Sequence, residues 1–367
     1  MENKNNYLKE AHDKLFKNES NNYIFIYTPP KVGSTTLMTS FRISLGKSFN
    51  IIHIHDEVML NVLTGINNIT IIDLIHFIAQ QNKNIFVIDV YRSPIERKIS
   101  EYFEQIAMLH FNNTDDNITT YNMQKISDRF NNLFPHLANG DHYFEKYCLE
   151  NMIPFDFNKK YTMQRINNVK YIKLRIKDSH NWASILSEII GQKIVIVNDY
   201  QSSNKKIGEL YNRFKQEYKL PTNFLNLIKD CKYFNFYHSE EERKDYLKLW
   251  QNKTCSDFNS YTKEEYLFYV KISLENQYYN VIQLDHYIDN GCFCKACSIK
   301  RRELYFKAIR GENITEKIIH NKSVNDLNDK INENNIKKAN IINELNKKIS
   351  NKIKNKKKKN KIDFVTK

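Results

Sequence analysis

A short polar loop between two apolar segments carries the first residue types suited to chemistry. It contains Lys31, Gly33 and then three hydroxyl side chains, Ser34, Thr35 and Thr36. A lysine adds a full positive charge beside backbone N–H groups, and the two together suit a bound phosphate or sulfate. These residue types predict an anion-binding loop. The alternative is an ordinary turn that happens to contain a lysine.

The segments on either side of this loop predict a strand and a helix. Residues 23–27 (YIFIY) form a run of buried-strand type, and Pro29 and Pro30 end it because proline donates no backbone hydrogen bond. Apolar residues then recur at helical spacing within 37–45. A strand, a tight loop and a helix in this order place free N–H groups and the positive end of the helix dipole beside Lys31.

Two histidines in the next apolar segment are candidates for proton transfer. Residues 50–55 (NIIHIH) predict a second strand, with His53 and His55 on one face. Histidine is well matched to general-base chemistry at neutral pH. His55 is the better candidate because it lies closer to the strand end, where Asp56 and Glu57 can orient it or act as the base themselves. For His53 we favour a core role.

An arginine follows the clearest buried strand of the chain, residues 84–91 (NIFVIDVY). Ligands of open α/β sheets bind outside the carboxyl ends of the strands. We therefore expect Arg92 on the same edge of the sheet as Lys31, with Ser100 two turns into the following helix. The alternative for Arg92 is a surface ion pair with Glu96.

The remaining periodicity predicts further strands alternating with helices, which is typical of βαβ units and a parallel sheet. The predicted segments are a helix at 70–81 with Thr70 as N-cap, a helix from Pro94 with Ser93 as N-cap, a strand at 169–176, and helices at 182–190 and 204–218.

Two motifs, PPKVGSTT and RSPIERKIS, resemble in order and separation the paired signature of sulfotransferases that use 3′-phosphoadenosine 5′-phosphosulfate. RSPIERKISEYFEQ and the later YFNFYHSEEERKDYLKLW are similar to the capsular polysaccharide synthesis proteins, a carbohydrate sulfotransferase-like group. The resemblance covers roughly residues 20–252. It implies an α/β, P-loop-like three-layer fold with a central, mainly parallel sheet. The implied reaction moves a sulfuryl group to a hydroxyl, most naturally that of a carbohydrate.

The resemblance also implies roles for individual residues. Lys31 would neutralise the leaving phosphate–sulfate bridge, and Arg92 and Ser100 would hold the 3′-phosphate. The loop that would hold the 5′-phosphosulfate comprises Pro30, Lys31, Val32, Gly33, Ser34, Thr35 and Thr36. Lys205 and Lys206 are in a region where the family's lysines reach the nucleotide, and a simple helix cap is the alternative there.

A long polar and aromatic segment, 112–156, predicts loops and short helices that shape the acceptor site. Its weaker candidates are His136, His142 and Lys146.

Two other function classes stay open. The first is a nucleotide or polyol kinase-like enzyme, although the G-x-x-x-x-G-K-[ST] loop is absent, since Lys31 precedes Gly33. The second is a catalytically inactive protein of the same fold that binds polyanions, because the cofactor-binding residues would survive the loss of an acceptor site.

Composition and charge fit this reading. The 367 residues are 41% hydrophobic and 13% aromatic, which suits one large or two modest globular domains. The net charge is +14, but residues 347–367 hold ten lysines against Asp363, so the rest carries only about +5. Such a body suits an anionic cofactor or substrate and is not by itself a nucleic-acid signature.

The sequence also predicts a location. Residues 1–20 lack the apolar segment of a signal peptide, and no apolar run reaches the length of a membrane span. Six cysteines in a chain of this length do not suggest a disulfide framework. We therefore expect a soluble, cytoplasmic or otherwise intracellular protein, with a nuclear address in the tail as a further option.

Four regions are predicted along the chain. They are a helical or flexible lead (1–20), the α/β domain (21–252), a mostly helical extension with a cysteine cluster (253–320), and an amphipathic helix with a basic disordered tail (321–367). The tail segment 324–367 carries an apolar stripe that can serve self-association, and lysines that can contact polyanions. A solvated helix is the alternative for the stripe.

The cysteine cluster poses the question of a structural zinc ion. Cys292, Cys294 and Cys297 form C-x-C-x-x-C, and either His286 or Cys255 can supply a fourth tetrahedral ligand. The second spaced pair of ligands typical of such sites is missing, so reduced, unligated cysteines are the alternative.

Overall fold

The computed structural model describes residues 2–104, 106–111, 115–197 and 207–276. The chain divides into two compact units. The larger comprises residues 1–106 and 119–261, and the smaller comprises residues 107–118 and those from 262 onward. All the candidate site residues that the structure describes lie in the larger unit.

The larger unit is built on a five-stranded sheet in the order β2-β1-β3-β5-β4. The strands are β1 (Asn22–Tyr27), β2 (Asn50–Ile54), β3 (Asn84–Tyr91), β4 (Tyr161–Ile166) and β5 (Val169–Arg175). β1, β2, β3 and β5 run parallel, and β4 alone pairs antiparallel, with β5. A separate parallel pair joins β6 (Leu220–Pro221) and β7 (Thr254–Cys255).

Helices precede, connect and follow these strands. They are α1 (Glu2–Leu15), α2 (Ser34–Leu45), α3 (Glu57–Thr64), α4 (Ile71–Ala79), α5 (Pro94–Tyr102), α6 (Asp115–Ile118), α7 (Met123–Leu133), α8 (His142–Glu145), α9 (Trp182–Ile190), α10 (Gly208–Glu217), α11 (Thr222–Lys229), α12 (Lys232–Tyr237), α13 (Glu240–Gln251) and α14 (Lys263–Asn276). No helix among the described residues is both long and apolar enough to cross a membrane.

Both faces of the sheet are covered by helices. On one face Ile26 packs with Phe41 of α2 and Leu186 of α9. On the other face Phe25 belongs to a core that includes Ile75 of α4 and residues of α1 and α3. Alternate residues of one strand thus enter opposite cores, as the period of two requires. The result is an α/β arrangement with a mostly parallel central sheet, as the sequence predicts.

This strand order places a crevice beside β1. The chain leaves β1 to form β2 on one side and then returns to form β3 on the other side. A reversal of this kind is the topological switch point at which open α/β sheets bind ligands, beyond the carboxyl ends of the strands. The segments that follow β1, β2 and β3 carry Lys31, His55 and Arg92, so the three candidates begin at one edge of the sheet.

Several predicted elements are confirmed. The strand at 84–91 has the predicted bounds, and Thr70 caps α4 through a reciprocal capping box with Asp73. The helix predicted at 182–190 is α9, and Pro94 occupies the first turn of α5.

Other predictions need correction. The strand β4 was not predicted, and the helix predicted to extend to residue 81 ends at Ala79. Ser93 precedes α5, but its side chain makes no capping bond and lies 3.5 Å from His238 Nε2. α10 begins at Gly208, and the earlier part of the helix predicted at 204–218, with Lys205 and Lys206, lies outside the described residues.

Candidate functional site

The loop after β1 is shaped by two left-handed residues. Lys31 has a φ of 67° and Gly33 a φ of 88°, and α2 begins directly afterwards at Ser34. A Cβ atom on Gly33 would come within 3.3 Å of Ile176 Cδ1 and 3.5 Å of the Trp182 ring. Both the backbone angle and the limited space therefore favour glycine at this position. The loop turns tightly enough to present the N terminus of α2 beside Lys31, as predicted.

Arg92 reaches this loop from the end of β3. Its Nη1 donates a hydrogen bond to the backbone oxygen of Lys31 at 3.1 Å. The alternative of an ion pair with Glu96 is not found, since Glu96 Oε2 accepts from the Tyr246 hydroxyl at 2.7 Å. Within the described residues Arg92 has no acidic partner. Its guanidinium charge is therefore available to a ligand.

One face of α5 lies along the loop. Arg97 Nε donates to the Pro30 oxygen at 3.3 Å, and Glu104, just past the end of α5, has Oε2 2.9 Å from Lys31 Nζ. Ser100 comes three residues after Arg97 and four before Glu104, and such residues share a helix face. It is only 5% exposed. The structure thus brings the loop, Arg92 and the Ser100 face of α5 together.

Glu104 was missed in the sequence analysis. Nothing in its spacing links it to Lys31, because the contact depends on how α5 crosses the loop. Its four-residue spacing from Ser100 predicts only that the two residues share a helix face.

His55 lies just beyond the end of β2 and contacts the strand beside it. Its Nδ1 lies 2.6 Å from the Thr28 oxygen, and because a carbonyl only accepts, Nδ1 carries the proton. Nε2 of the neutral ring is then the basic nitrogen. Burial lowers the pKa of His55, with the Thr28 hydrogen bond opposing the shift, so the neutral form is favoured.

His53 is the less suitable base. Burial first, then the charges of His55 and Arg42, lower its pKa to about 4. Its Nε2 is buried without a hydrogen-bond partner. Its ring centroid lies 4.5 Å from that of His55, so it packs against the better candidate.

The two acids after His55 have structural partners. Asp56 caps α3 by accepting from the Met59 N–H at 2.8 Å. Glu57 accepts from the Tyr27 hydroxyl at 3.2 Å and lies 3.7 Å from Lys146 Nζ.

The weaker candidates are separated. His142 Nε2 donates to the backbone oxygen of His55 at 2.6 Å, which places it beside that histidine. His136 instead has Nε2 2.6 Å from the Tyr261 oxygen.

A buried charge cluster behind the loop was also missed. Lys173 Nζ lies 2.7 Å from Asp89 Oδ2 and 2.6 Å from Asp141 Oδ2. Thr28 Oγ1 donates to Asp89 at 2.6 Å, and Tyr237 donates to Asp141 at 3.0 Å. Burial raises the pKa of Asp141, and the positive charge of Lys173 partly opposes that shift. Part of the signal was present, because Asp89 is the one charged residue of the otherwise largely apolar strand β3.

The predicted zinc ligands lie mostly outside the described residues. This holds for Cys292, Cys294, Cys297 and His286, and for the 324–367 tail. Cys255 is described and is a half-buried free thiol. In the described part of the chain, no cluster of three His, Cys, Asp or Glu side chains suits a metal ion.

Comparison with known proteins finds no matching protein family, no matching curated protein and no matching solved structure. The functional argument therefore rests on this chain's own residues.

Proposed function

We propose that this protein is a sulfotransferase that moves a sulfuryl group from 3′-phosphoadenosine 5′-phosphosulfate to a hydroxyl, on a carbohydrate acceptor. The observation that carries the proposal is the contact of Arg92 with the Lys31 loop across the switch point, at 3.1 Å. The contact joins residues that follow two adjacent parallel strands, and this supports an anion-binding role for that edge of the sheet. That edge suits a ligand with two separated anionic groups.

The residues fit the donor in three respects. Gly33 gives the loop a left-handed turn directly before α2, so the free N–H groups of the helix N terminus follow Lys31 closely. Arg92 has no acidic partner within the described residues and can make a charge-assisted contact with a 3′-phosphate. Ser100 shares the face of α5 that lies along the loop. These features support the donor assignment independently of the charge of the tail.

The bound donor supplies an activated sulfuryl group, and the chain supplies position and charge. Transfer builds charge on the bridging oxygen, so electrostatic stabilisation matters more than covalent catalysis. Lys31 would neutralise that charge after leaving Glu104. His55 Nε2 would accept the proton of the acceptor hydroxyl, since Nδ1–H is held by the Thr28 oxygen.

Calorimetric titration with 3′,5′-adenosine bisphosphate and with 5′-AMP tests the donor assignment. We expect the bisphosphate to bind at least about tenfold more tightly, because a charge-assisted contact contributes about 1.5–3 kcal/mol. Arg92→Gln should remove this difference, whereas Arg165→Gln, at an exposed position on β4, should keep it. Equal binding of the two nucleotides to the wild type would exclude the assignment.

Radiolabelled donor, incubated with a panel of glycans, then tests transfer. Incorporation of label separates an enzyme from an inactive protein of the same fold. A preference for ATP over the bisphosphate would instead favour the kinase-like alternative.

A further inference from the structure

A cavity of about 370 Å³ lies beside the carboxyl end of β3. Its walls are largely apolar and aromatic, with Phe134 and Tyr233 among them. Three cationic side chains also line it, Arg92, Arg97 and Lys98. A largely apolar cavity with a few charged groups is the usual form of a small-molecule site.

None of the three cations forms an ion pair within the described residues. Arg97 and Lys98 are only 7% and 5% exposed. Arg97 donates to the backbone oxygens of Gly140 at 2.7 Å and Asn139 at 3.2 Å. Burying a charge without a counter-ion costs several kcal/mol, so paired buried charges are the rule. The cavity departs from that rule twice.

Lys98 is held only by neutral groups. Its Nζ donates to the Leu137 oxygen and, at 3.0 Å, to Asn139 Oδ1, and it lies 5.2 Å from the Phe134 ring centre. Burial lowers its pKa to about 8, with the charge of Glu101 opposing the shift. An ammonium group has three donors, and the structure uses two of them on protein oxygens. One donor remains for a ligand.

The acidic residues near the cavity form no ion pair with its cationic side chains in the part of the chain that the structure describes. Glu145, which lines it, accepts from the Tyr233 hydroxyl and, at 3.3 Å, from the Asp141 N–H. Burial raises the pKa of Glu101, and its Oε2 has no hydrogen-bond partner. Neither carboxyl group forms an ion pair with Arg97 or Lys98 within the described residues.

A further donor in the cavity wall lacks a partner. Tyr91 is only 6% exposed, and its buried hydroxyl makes no hydrogen bond. Unsatisfied buried hydroxyls are uncommon in native proteins, and a ligand is one explanation for them. Tyr91 and Lys98 thus both line the cavity, one with an unpartnered hydroxyl and the other with an ammonium group bound only to neutral acceptors.

The cavity shares Arg92 and Arg97 with the loop site, but it extends along a different face of α5. Pro94 and Lys98 line it, whereas Ser100 does not. Pro94 and Lys98 are four residues apart and share one helix face. At about 100° per residue, Lys98 lies about 160° and Pro94 about 120° around the helix from Ser100. Two anionic groups can therefore be held on different faces of α5 at once.

We propose that this cavity binds an acidic group carried on an organic ring, and that the ring is a sugar. Lys98 and Tyr91 contact the acidic group, and the aromatic walls pack against the ring. This inference rests on the proposed function in one respect. The bound sugar is taken to be the acceptor, so the enzyme sulfates an acidic saccharide.

Calorimetry with three related probes tests the site. We expect 4-nitrophenyl β-D-glucuronide and 4-nitrophenyl phosphate to bind, and the neutral 4-nitrophenyl β-D-glucoside to bind at least about tenfold more weakly. Lys98→Met should remove that preference, whereas Lys47→Met, at an exposed lysine outside the cavity, should keep it. Tyr91→Phe deletes a single unpartnered hydroxyl and should weaken charged-probe binding severalfold even if Lys98→Met fails to fold.

Equal binding of charged and neutral probes, or unchanged binding by both Lys98→Met and Tyr91→Phe, would overturn the site. Titration of the glucuronide in the presence of saturating 3′,5′-adenosine bisphosphate separates the inference from the proposed function. Simultaneous binding supports the acceptor assignment, and mutual displacement overturns it. If the glucuronide binds and the bisphosphate does not, the proposed function fails while the acidic site stands.

Discussion

Lys31 Nζ lies 2.9 Å from Glu104 Oε2, and the charge of Glu104 also acts on the imidazole of His55. One carboxylate is therefore placed between the two groups to which the proposed reaction assigns catalysis. An anion that takes up the Lys31 ammonium must first displace Glu104. The cost of breaking this ion pair therefore lowers the affinity for the proposed donor.

Glu104→Gln should therefore increase the affinity for 3′,5′-adenosine bisphosphate about fivefold. The pair is partly exposed, and such pairs contribute roughly 1 kcal/mol, which corresponds to about that factor. Calorimetric titration measures the change. Glu188→Gln, at an exposed position on α9, is the matched control and should leave affinity unchanged. A weaker affinity in Glu104→Gln would show that the carboxylate assists the donor.

The pH dependence of transfer should identify the base. The pKa of His55 is lowered from its ordinary value of 6.5, so the basic form dominates at neutral pH. We expect kcat/KM to be level near pH 7 and to fall as pH drops through a value below 6.5, because protonation removes the base.

In His55→Gln transfer should fall by about 10²- to 10⁴-fold, the usual contribution of general-base catalysis, and the acid limb should vanish. Binding of the bisphosphate should persist in this variant. An acid limb that survives the substitution would assign the base to another group.

Gly33→Ala should damage both the fold and the loop. The left-handed backbone angle costs about 1 kcal/mol, and the 3.3 Å approach to Ile176 adds a steric cost. Gly65→Ala is a matched control, because its φ is 70° with nothing within 4 Å of the added atom. Urea unfolding should show a larger loss for Gly33→Ala, and only that variant should lose bisphosphate binding. Equal losses would mean that the approach to Ile176 is readily relieved.

Removal of the buried ammonium should destabilise the sheet strongly. Lys173→Met leaves Asp89 and Asp141 together without a cation, and breaking a buried pair costs about 3–5 kcal/mol. Asp141→Asn should lower the free energy of unfolding by less, because the Lys173 ammonium remains paired with Asp89. Lys170→Met, on the same strand but half-exposed, is the control and should cost below about 1 kcal/mol. Urea unfolding at pH 7 measures all three. A small loss in Lys173→Met would indicate that one carboxyl is already protonated.

The sequence predicted much of the sheet because its parallel strands are buried on both faces. Near-continuous apolar runs then mark them, and NIFVIDVY was located to the residue. β4 was missed for the opposite reason. It is an edge strand whose residues YTMQRI are mostly half-buried or exposed, so the apolar signal is weak.

Site residues could be predicted only where they share one loop or follow the carboxyl ends of parallel strands. Lys31 and Arg92 were predicted on one edge because parallel strands end together. The contact of Glu104 with Lys31 and the cavity beside Lys98 depend on how α5 and the segment after α7 pack. Residue spacing does not reveal that packing. The orientation of the His55 ring is likewise set by a carbonyl on another strand.

Arg97 joins the two sites through a single planar group. Its Nε holds the Pro30 oxygen of the loop, while its terminal nitrogens hold the carbonyls of residues 139 and 140 at the cavity. A ligand that draws this guanidinium toward itself loosens the other attachment. Thermodynamic reciprocity then requires each ligand to change the affinity of the other by the same factor. We therefore expect the two proposed ligands to bind with coupled affinities, with Arg97 as the coupling residue.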